Sequence, residues 1–77
     1  IEFGDDFNQP VERLPRNVIS IKFGRNFNKA VNRLPRTIEV IKFGNLFNKP
    51  VYNLPPKIRH IEFGDEFNGS ILQLPNT

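Results

Sequence analysis

The chain has no cysteine, methionine or tryptophan, and it has one histidine, His60, and one tyrosine, Tyr52. Without cysteine there is neither a disulfide nor a thiolate metal site, and a single histidine cannot supply the histidine pair of a typical zinc site. We therefore expect no metal and no other cofactor. No apolar run approaches the roughly 20 residues of a transmembrane helix, and no signal-peptide pattern opens the chain, so we expect a soluble protein without a membrane partner.

What the sequence does contain is a 20-residue repeat, in segments 1–20, 21–40, 41–60 and 61–77. Their shared pattern is I-x-F-G-x-x-F-N-x-x-V-x-x-L-P-x-x-I, and positions 20 residues apart form what we call a column. The glycine and asparagine columns are filled in all four repeats, and all eight phenylalanines fall in two columns, which are Phe3, Phe23, Phe43, Phe63 and Phe7, Phe27, Phe47, Phe67. A short fixed period indicates a solenoid, in which each repeat buries its apolar face against the next.

Each repeat can be interpreted locally. Ile-x-Phe is a minimal alternating strand, and stacking four of them at one register predicts a parallel sheet with strands ~4.8 Å apart. The glycine after each strand allows a turn through positive φ or through close approach of two backbones. The Leu-Pro pair prevents a helix in the rest of the repeat, so we expect an extended or 3₁₀ return. The predicted fold is a β-solenoid whose apolar columns form the core of one repeat domain, 1–77.

One polar column follows the second phenylalanine, and it consists of Asn8, Asn28, Asn48 and Asn68. A turn beside two phenylalanine columns shields backbone N–H and C=O groups, which then need partners. Asparagine can both accept and donate, whereas an ionised aspartate would lack a donor and would bury charge. We predict an inward-facing structural ladder of these residues, at which aspartate is no better than alanine.

The strings FGDDFNQPV, FGRNFNKAV, FGNLFNKPV and FGDEFNGSI resemble FNIP repeats, which are leucine-rich-repeat-like units of amoebae and of the giant DNA viruses that infect them. The resemblance implies a leucine-rich-repeat-like solenoid that binds protein partners. Some members join such repeats to an F-box, which would make the repeats the substrate receptor of a ubiquitin ligase. It also implies an intracellular, cytoplasmic location or a place in a virion. Because the first repeat opens directly on a strand and the fourth stops in mid-repeat, we expect a segment of a longer solenoid.

Motifs that could carry catalysis are nearly absent. The carboxylate pairs Asp5-Asp6 and Asp65-Glu66 lie three repeats apart, roughly 14 Å at the strand spacing, which is too far to act on one glycosidic bond. The glycines recur once per repeat, so they do not form a phosphate-binding loop. We expect no enzymatic activity.

Partner contact is expected on the outward strand columns. They comprise Ser20, Val40 and His60 beside Glu2, Lys22, Lys42 and Glu62. A second apolar contact is predicted where Tyr52 and Leu72 adjoin one repeat apart. The strongest alternative is a structural role in a virion or filament, with self-association through uncapped solenoid ends.

A weaker alternative is nucleic-acid contact through the central repeats. The formal charge is −2 in the first repeat, +4 in the second and third, and −3 in the fourth. The cations of the second repeat are spread around its circumference, while a nucleic-acid groove needs them on one face with exposed aromatics, so this pattern argues against such a partner.

Overall fold

A computed structural model of the chain describes residues 1–51 and 53–68. It contains three short strands, β1 (Ser20–Lys22), β2 (Val40–Lys42) and β3 (His60–Glu62). They form one parallel sheet in the order β1-β2-β3, and each residue pairs with its equivalent in the next repeat. The described residues include no helix. This architecture is compatible with a repeat solenoid.

The first repeat joins the sheet through a single bridge between Glu2 and Lys22 rather than through the predicted fourth strand. The backbone hydrogen bonds of this bridge follow the pattern of the later repeats. The Lys22 N–H donates to the Ile1 carbonyl at 3.0 Å, and the Phe3 N–H donates to the Lys22 carbonyl at 2.9 Å. The other strands begin one residue before the isoleucine, at Ser20, Val40 and His60. In the first repeat only Glu2 is paired in this way.

The hydrophobic core comes from the predicted apolar columns. Ile21, Phe27 and Phe47 are fully buried, and the other buried hydrophobic residues belong to the same six columns. Among the described residues no polar or charged residue is buried. Within these columns Ile1 is 52% exposed, and the described residues that are only partly buried are Phe3, Phe7, Leu14, Val18, Ile61, Phe63 and Phe67.

The phenylalanine rings form one continuous stack in which the closest neighbours belong to the same repeat. The ring centroids of Phe23 and Phe27, and those of Phe43 and Phe47, are 3.9 Å apart. Between repeats the nearly parallel rings are offset, at 5.5 Å from Phe23 to Phe43 and 6.1 Å from Phe27 to Phe47. Parallel offset stacking is a favoured geometry for aromatic pairs. Each buried ring is therefore stacked on a ring of its own repeat as well as on rings of its neighbours.

The glycine column is explained by close approach between backbones. None of the described glycines has a positive φ. A Cβ on Gly24 would overlap the Gly4 carbonyl and lie 2.6 Å from its carbon, and a Cβ on Gly44 would meet the Gly24 carbonyl in the same way. The turns stack as tightly as the strands, since the Asn26 N–H donates to the Asp5 carbonyl at 3.0 Å.

The return segments consist of turns rather than of 3₁₀ helix in the part of the chain that the structure describes. The Ile38 N–H donates to the Pro35 carbonyl at 3.3 Å, and the Ile58 N–H repeats this bond to Pro55 at 3.2 Å. Asn53 has a left-handed backbone with φ of 57°. Asparagine tolerates that region better than most residues, because its short polar side chain can hydrogen-bond locally.

Candidate functional site

The outer surface of the parallel sheet is the candidate site, and we call it the sheet face. Side chains alternate along a strand, and the inward isoleucine is buried in β1 and β2 (Ile21, Ile41) and half-buried in β3 (Ile61), so the residues on either side of it point outward. The sheet face therefore carries two columns side by side, which are Ser20, Val40, His60 and Glu2, Lys22, Lys42, Glu62. All of these residues are exposed except Val40, which is half-buried.

Two ion pairs order the charged column of the sheet face. The Lys22 ammonium lies 3.9 Å from a Glu2 carboxylate oxygen, and the Lys42 ammonium lies 3.6 Å from Glu62. Both pairs are about half exposed or more, so each contributes little to stability. Lys22 and Lys42 are themselves direct neighbours in the register. Like charges directly opposite each other destabilise a sheet, so the centre of this face favours an added negative charge.

His60 and Glu62 make the shortest polar contact on the sheet face. The His60 Nε2 lies 2.8 Å from the Glu62 Oε2, and the Lys42 ammonium approaches the same oxygen. The hydrogen bond from His60 is the main cause that lowers the pKa of the Glu62 carboxyl, and the positive charge of Lys42 lowers it further. Desolvation acts in the opposite direction, and it is weaker than the hydrogen bond from His60 but stronger than the effect of the Lys42 charge. The Glu62 carboxylate, at this end of the charged column, therefore stays ionised to a lower pH than an ordinary glutamate.

Replacing His60 with Gln should raise the pKa of Glu62 toward its ordinary value, because the principal hydrogen bond to the carboxylate is weakened. Replacing Lys42 with Gln should raise it less, because Lys42 contributes less than the hydrogen bond. An NMR titration of the Glu62 side-chain carboxyl carbon in the two variants measures both shifts. A larger effect from Lys42→Gln would show that His60 is not the principal partner.

A third ion pair beside the sheet face was not predicted. The Arg59 Nε lies 3.1 Å from the Glu39 Oε1, in the column that begins with Ile19. Opposite charges exactly one repeat apart were a usable sequence signal. Ile19 and Leu46 are 49% and 41% exposed and add isolated apolar side chains to the surface. The predicted apolar contact between Tyr52 and Leu72 lies outside the described residues.

The asparagine column forms a chain of side-chain to backbone hydrogen bonds. The Asn8 Oδ1 accepts the Asn28 N–H at 2.8 Å, the Asn28 Oδ1 accepts the Asn48 N–H at 2.8 Å, and the Asn48 Oδ1 accepts the Asn68 N–H at 2.6 Å. The column does not face inward, since Asn28 is half-buried and the other three are exposed. The preceding phenylalanine takes the inward position, which leaves the asparagine at the surface.

These hydrogen bonds change the expected effect of an aspartate substitution on stability, because aspartate should now be better tolerated than alanine at the asparagine column. Each bond uses the side-chain oxygen as acceptor, and a carboxylate can accept the same N–H without entering the core. We expect Asn28→Ala to lower the free energy of unfolding by about 0.5–1.5 kcal/mol, and Asn28→Asp to lower it by less. Urea denaturation at neutral pH compares the two variants. Equal losses would indicate that the acceptor oxygen is not what the column contributes.

The carboxylate pairs Asp5-Asp6 and Asp65-Glu66 are represented in the side-chain hydrogen bonds of the described residues by one contact to the backbone. The Asp5 Oδ1 accepts the Arg25 N–H at 3.1 Å. Within residues 1–51 and 53–68, no group of three or more His, Cys, Asp or Glu side chains is placed to hold a metal ion. The same part of the chain contains no helix long and apolar enough to cross a membrane.

In the parallel sheet every residue pairs with the residue 20 positions away, and the core is built from six columns with the same spacing. These two features define a repeat protein. The family model of the FNIP repeat matches residues 7–46, which is more than half of the chain. The chain belongs to the FNIP repeat family, and the membership predicted from the Phe-Gly-x-x-Phe-Asn strings is confirmed. No curated protein and no solved structure matches the chain.

Proposed function

We propose that this chain is a non-catalytic protein-interaction module, a leucine-rich-repeat-like β-solenoid that binds a protein partner through the sheet face. The observation that carries the proposal is the arrangement of that face. Exposed side chains stand in two straight columns on a sheet whose other side is packed against the core. The backbone beneath this surface is held by the sheet, so a partner that binds there meets side chains whose attachment points are fixed.

The centre of the sheet face suggests the chemistry of the contact. Lys22 and Lys42 are adjacent, and each has one glutamate on its outer side and a lysine on its inner side. A carboxylate of the partner placed between them would relieve their repulsion and form two charge-assisted hydrogen bonds. Val40 beside them offers apolar contact.

The double substitution Lys22→Glu plus Lys42→Glu should weaken binding to a partner purified with the unmodified chain by about tenfold or more, because attraction becomes repulsion. The matched control is Lys29→Glu plus Lys49→Glu, which makes the same charge change one repeat apart in a column away from the sheet. It should change the affinity by less than about threefold. Isothermal calorimetry measures both, and circular dichroism verifies the fold. Equal effects of the two pairs would exclude the sheet face.

The role in a ubiquitin ligase depends on the rest of the parent protein. If the parent carries an F-box, we propose that the sheet face receives the substrate. Transfer of ubiquitin to the bound partner by the reconstituted ligase should then fall with the Lys22→Glu plus Lys42→Glu variant and persist with the Lys29→Glu plus Lys49→Glu control. Partner binding without any transfer would leave a module that only binds.

Assembly through the ends of the solenoid is the second candidate. In the 77-residue chain Ile1 is exposed and Phe3 and Phe7 are partly exposed, and a stacked second copy would cover these apolar side chains. Stacked copies would show a mass that rises with concentration in sedimentation velocity. A constant monomer mass across the accessible range would exclude this role.

A further inference from the structure

The charges of this chain are sorted by segment within each repeat, as well as by repeat. We call residues 9–18, 29–38 and 49–58 the return segments. They hold one of the eight acidic residues, Glu12, and most of the eleven basic residues, which are Arg13, Arg16, Lys29, Arg33, Arg36, Lys49 and Lys57. Six of the remaining seven acids lie in the strand segments or in the turns that follow them, and the seventh, Glu39, directly precedes β2. The return segments therefore carry the positive charge of the molecule.

The return segments also lack internal neutralisation. The three lysine and arginine residues that form ion pairs, Lys22, Lys42 and Arg59, all lie on or beside the sheet. Within the described residues no cation of a return segment makes a salt bridge. Unpaired cations gathered on one part of a surface produce a positive potential that attracts acidic groups.

Several of these cations surround one groove, which we call the return groove and which crosses the first and second repeats. Its floor is apolar and consists of Leu14, Leu34 and Pro35. Its walls are polar and carry Glu12, Arg16, Arg33, Arg36 and Thr37. Leu34 belongs to the buried core and supports the floor from below, so the apolar surface of the groove comes from Leu14 and Pro35, which are half-buried.

Two hydrogen-bond networks hold the walls of the return groove in place. The Arg36 guanidinium donates from Nη1 to the Asn53 carbonyl at 3.2 Å and from Nη2 to the Leu54 carbonyl at 3.1 Å. Because a guanidinium has five N–H donors, three remain for a ligand. The Thr37 hydroxyl, which has one proton to donate, lies 2.7 Å from the carbonyl oxygens of both Arg16 and Val18 and so connects the second repeat to the first. A cation that is already ordered binds an anion with less loss of entropy.

We propose that the return groove binds an acidic peptide segment of a partner protein, with an aliphatic side chain on the floor and carboxylates against Arg16, Arg33 and Arg36. Charge complementarity selects the acidic residues, and the apolar floor selects an aliphatic residue between them. This surface is separate from the sheet face, so the inference does not depend on the function proposed for that face.

The composition of the groove favours a peptide over a nucleic acid. Single-stranded nucleic acids bind through aromatic side chains that stack on the bases, and none of the described residues that line the groove is aromatic. Glu12 in the wall would repel a phosphate backbone, whereas it can accept an N–H from a peptide backbone.

The test uses the 77-residue chain and a short fluorescein-labelled peptide of Glu-Glu-Leu triplets, with fluorescence anisotropy at low salt. Arg16→Gln plus Arg33→Gln should weaken binding about tenfold, because two charge pairs are lost. The matched control, Lys29→Gln plus Lys49→Gln, removes the same charge from return-segment positions that do not line the groove and should change the affinity by less than about twofold. A peptide of Glu-Glu-Ser triplets should bind the unmodified chain more weakly, since it has no side chain for the floor.

Four results would overturn the proposal. They are an absence of binding by the Glu-Glu-Leu peptide, equal weakening by the two pairs of substitutions, equal affinity for the Ser and Leu peptides, and tighter binding of an oligothymidylate than of the peptide. Circular dichroism of each variant ensures that a loss of binding is not a loss of fold. The sheet-face substitutions are tested on binding to the purified partner, and the groove substitutions are tested on binding to the peptide. Either test can fail without changing the outcome of the other.

Discussion

Replacing Gly44 with Ala should leave the chain largely unfolded at 25 °C. The new Cβ would overlap the Gly24 carbonyl and lie 2.6 Å from its carbon, and both atoms belong to backbone that is held by the inter-repeat hydrogen bonds. Overpacking ordinarily costs about 1–3 kcal/mol, and this clash allows no side-chain adjustment, so we expect at least about 3 kcal/mol. A core of this size rarely nets more than about 3–5 kcal/mol. Urea denaturation followed by circular dichroism measures the loss.

The chain supplies its own control for this prediction. A Cβ at Gly4 would meet no atom within 4 Å, although Gly4 occupies the same column. Gly4→Ala should therefore change the free energy of unfolding by less than about 1 kcal/mol, and the reduced freedom of the unfolded chain can make it stabilising. If Gly4→Ala were as damaging as Gly44→Ala, the glycine column would be required by the backbone conformation of each turn and not by the stacking of repeats.

Replacing Phe47 with Ala should have an effect of similar size. This ring is fully buried and stacks on Phe43 at 3.9 Å, on Phe27 at 6.1 Å and on Phe67 at 5.9 Å. Truncation of a buried phenylalanine removes apolar burial and leaves a cavity, at about 3–5 kcal/mol. We expect the loss of a cooperative unfolding transition, measured by thermal denaturation.

Two further variants separate burial from stacking at this column. Phe47→Leu keeps most of the apolar volume and loses the aromatic contacts, so we expect a loss of about 1–3 kcal/mol. Phe7→Ala truncates a half-buried ring that stacks on Phe3 and Phe27 alone, and it should cost less than Phe47→Ala. An equal cost at the two positions would mean that stability is not concentrated in the central repeats.

The glycine and asparagine columns mark how far the sequence could predict this structure. The sequence has a glycine after the strand in every repeat. Either a backbone turn with positive φ or close approach of two backbones could explain that glycine. The structure decides for close approach, because the contact is between Gly24 and Gly44 of successive repeats. The recurrence of asparagine at one position of every repeat predicts a hydrogen-bonded ladder. It does not predict that Asn28 is only half-buried, because that depends on the direction in which the turn after Phe27 points the side chain. A column shows that equivalent residues share an environment, and it does not show what that environment is.

The period, the register and the core of this chain all follow from its sequence, because residues that recur every 20 positions can bury a common apolar face only by lying over their equivalents. The family followed from the same columns. The tertiary structure alone decided the contacts between residues that are not equivalent. The Arg36 guanidinium reaches the carbonyls of Asn53 and Leu54, and the return groove gathers arginines from two repeats. Such contacts depend on the path of each turn and on side-chain conformation, and neither is encoded in the 20-residue period.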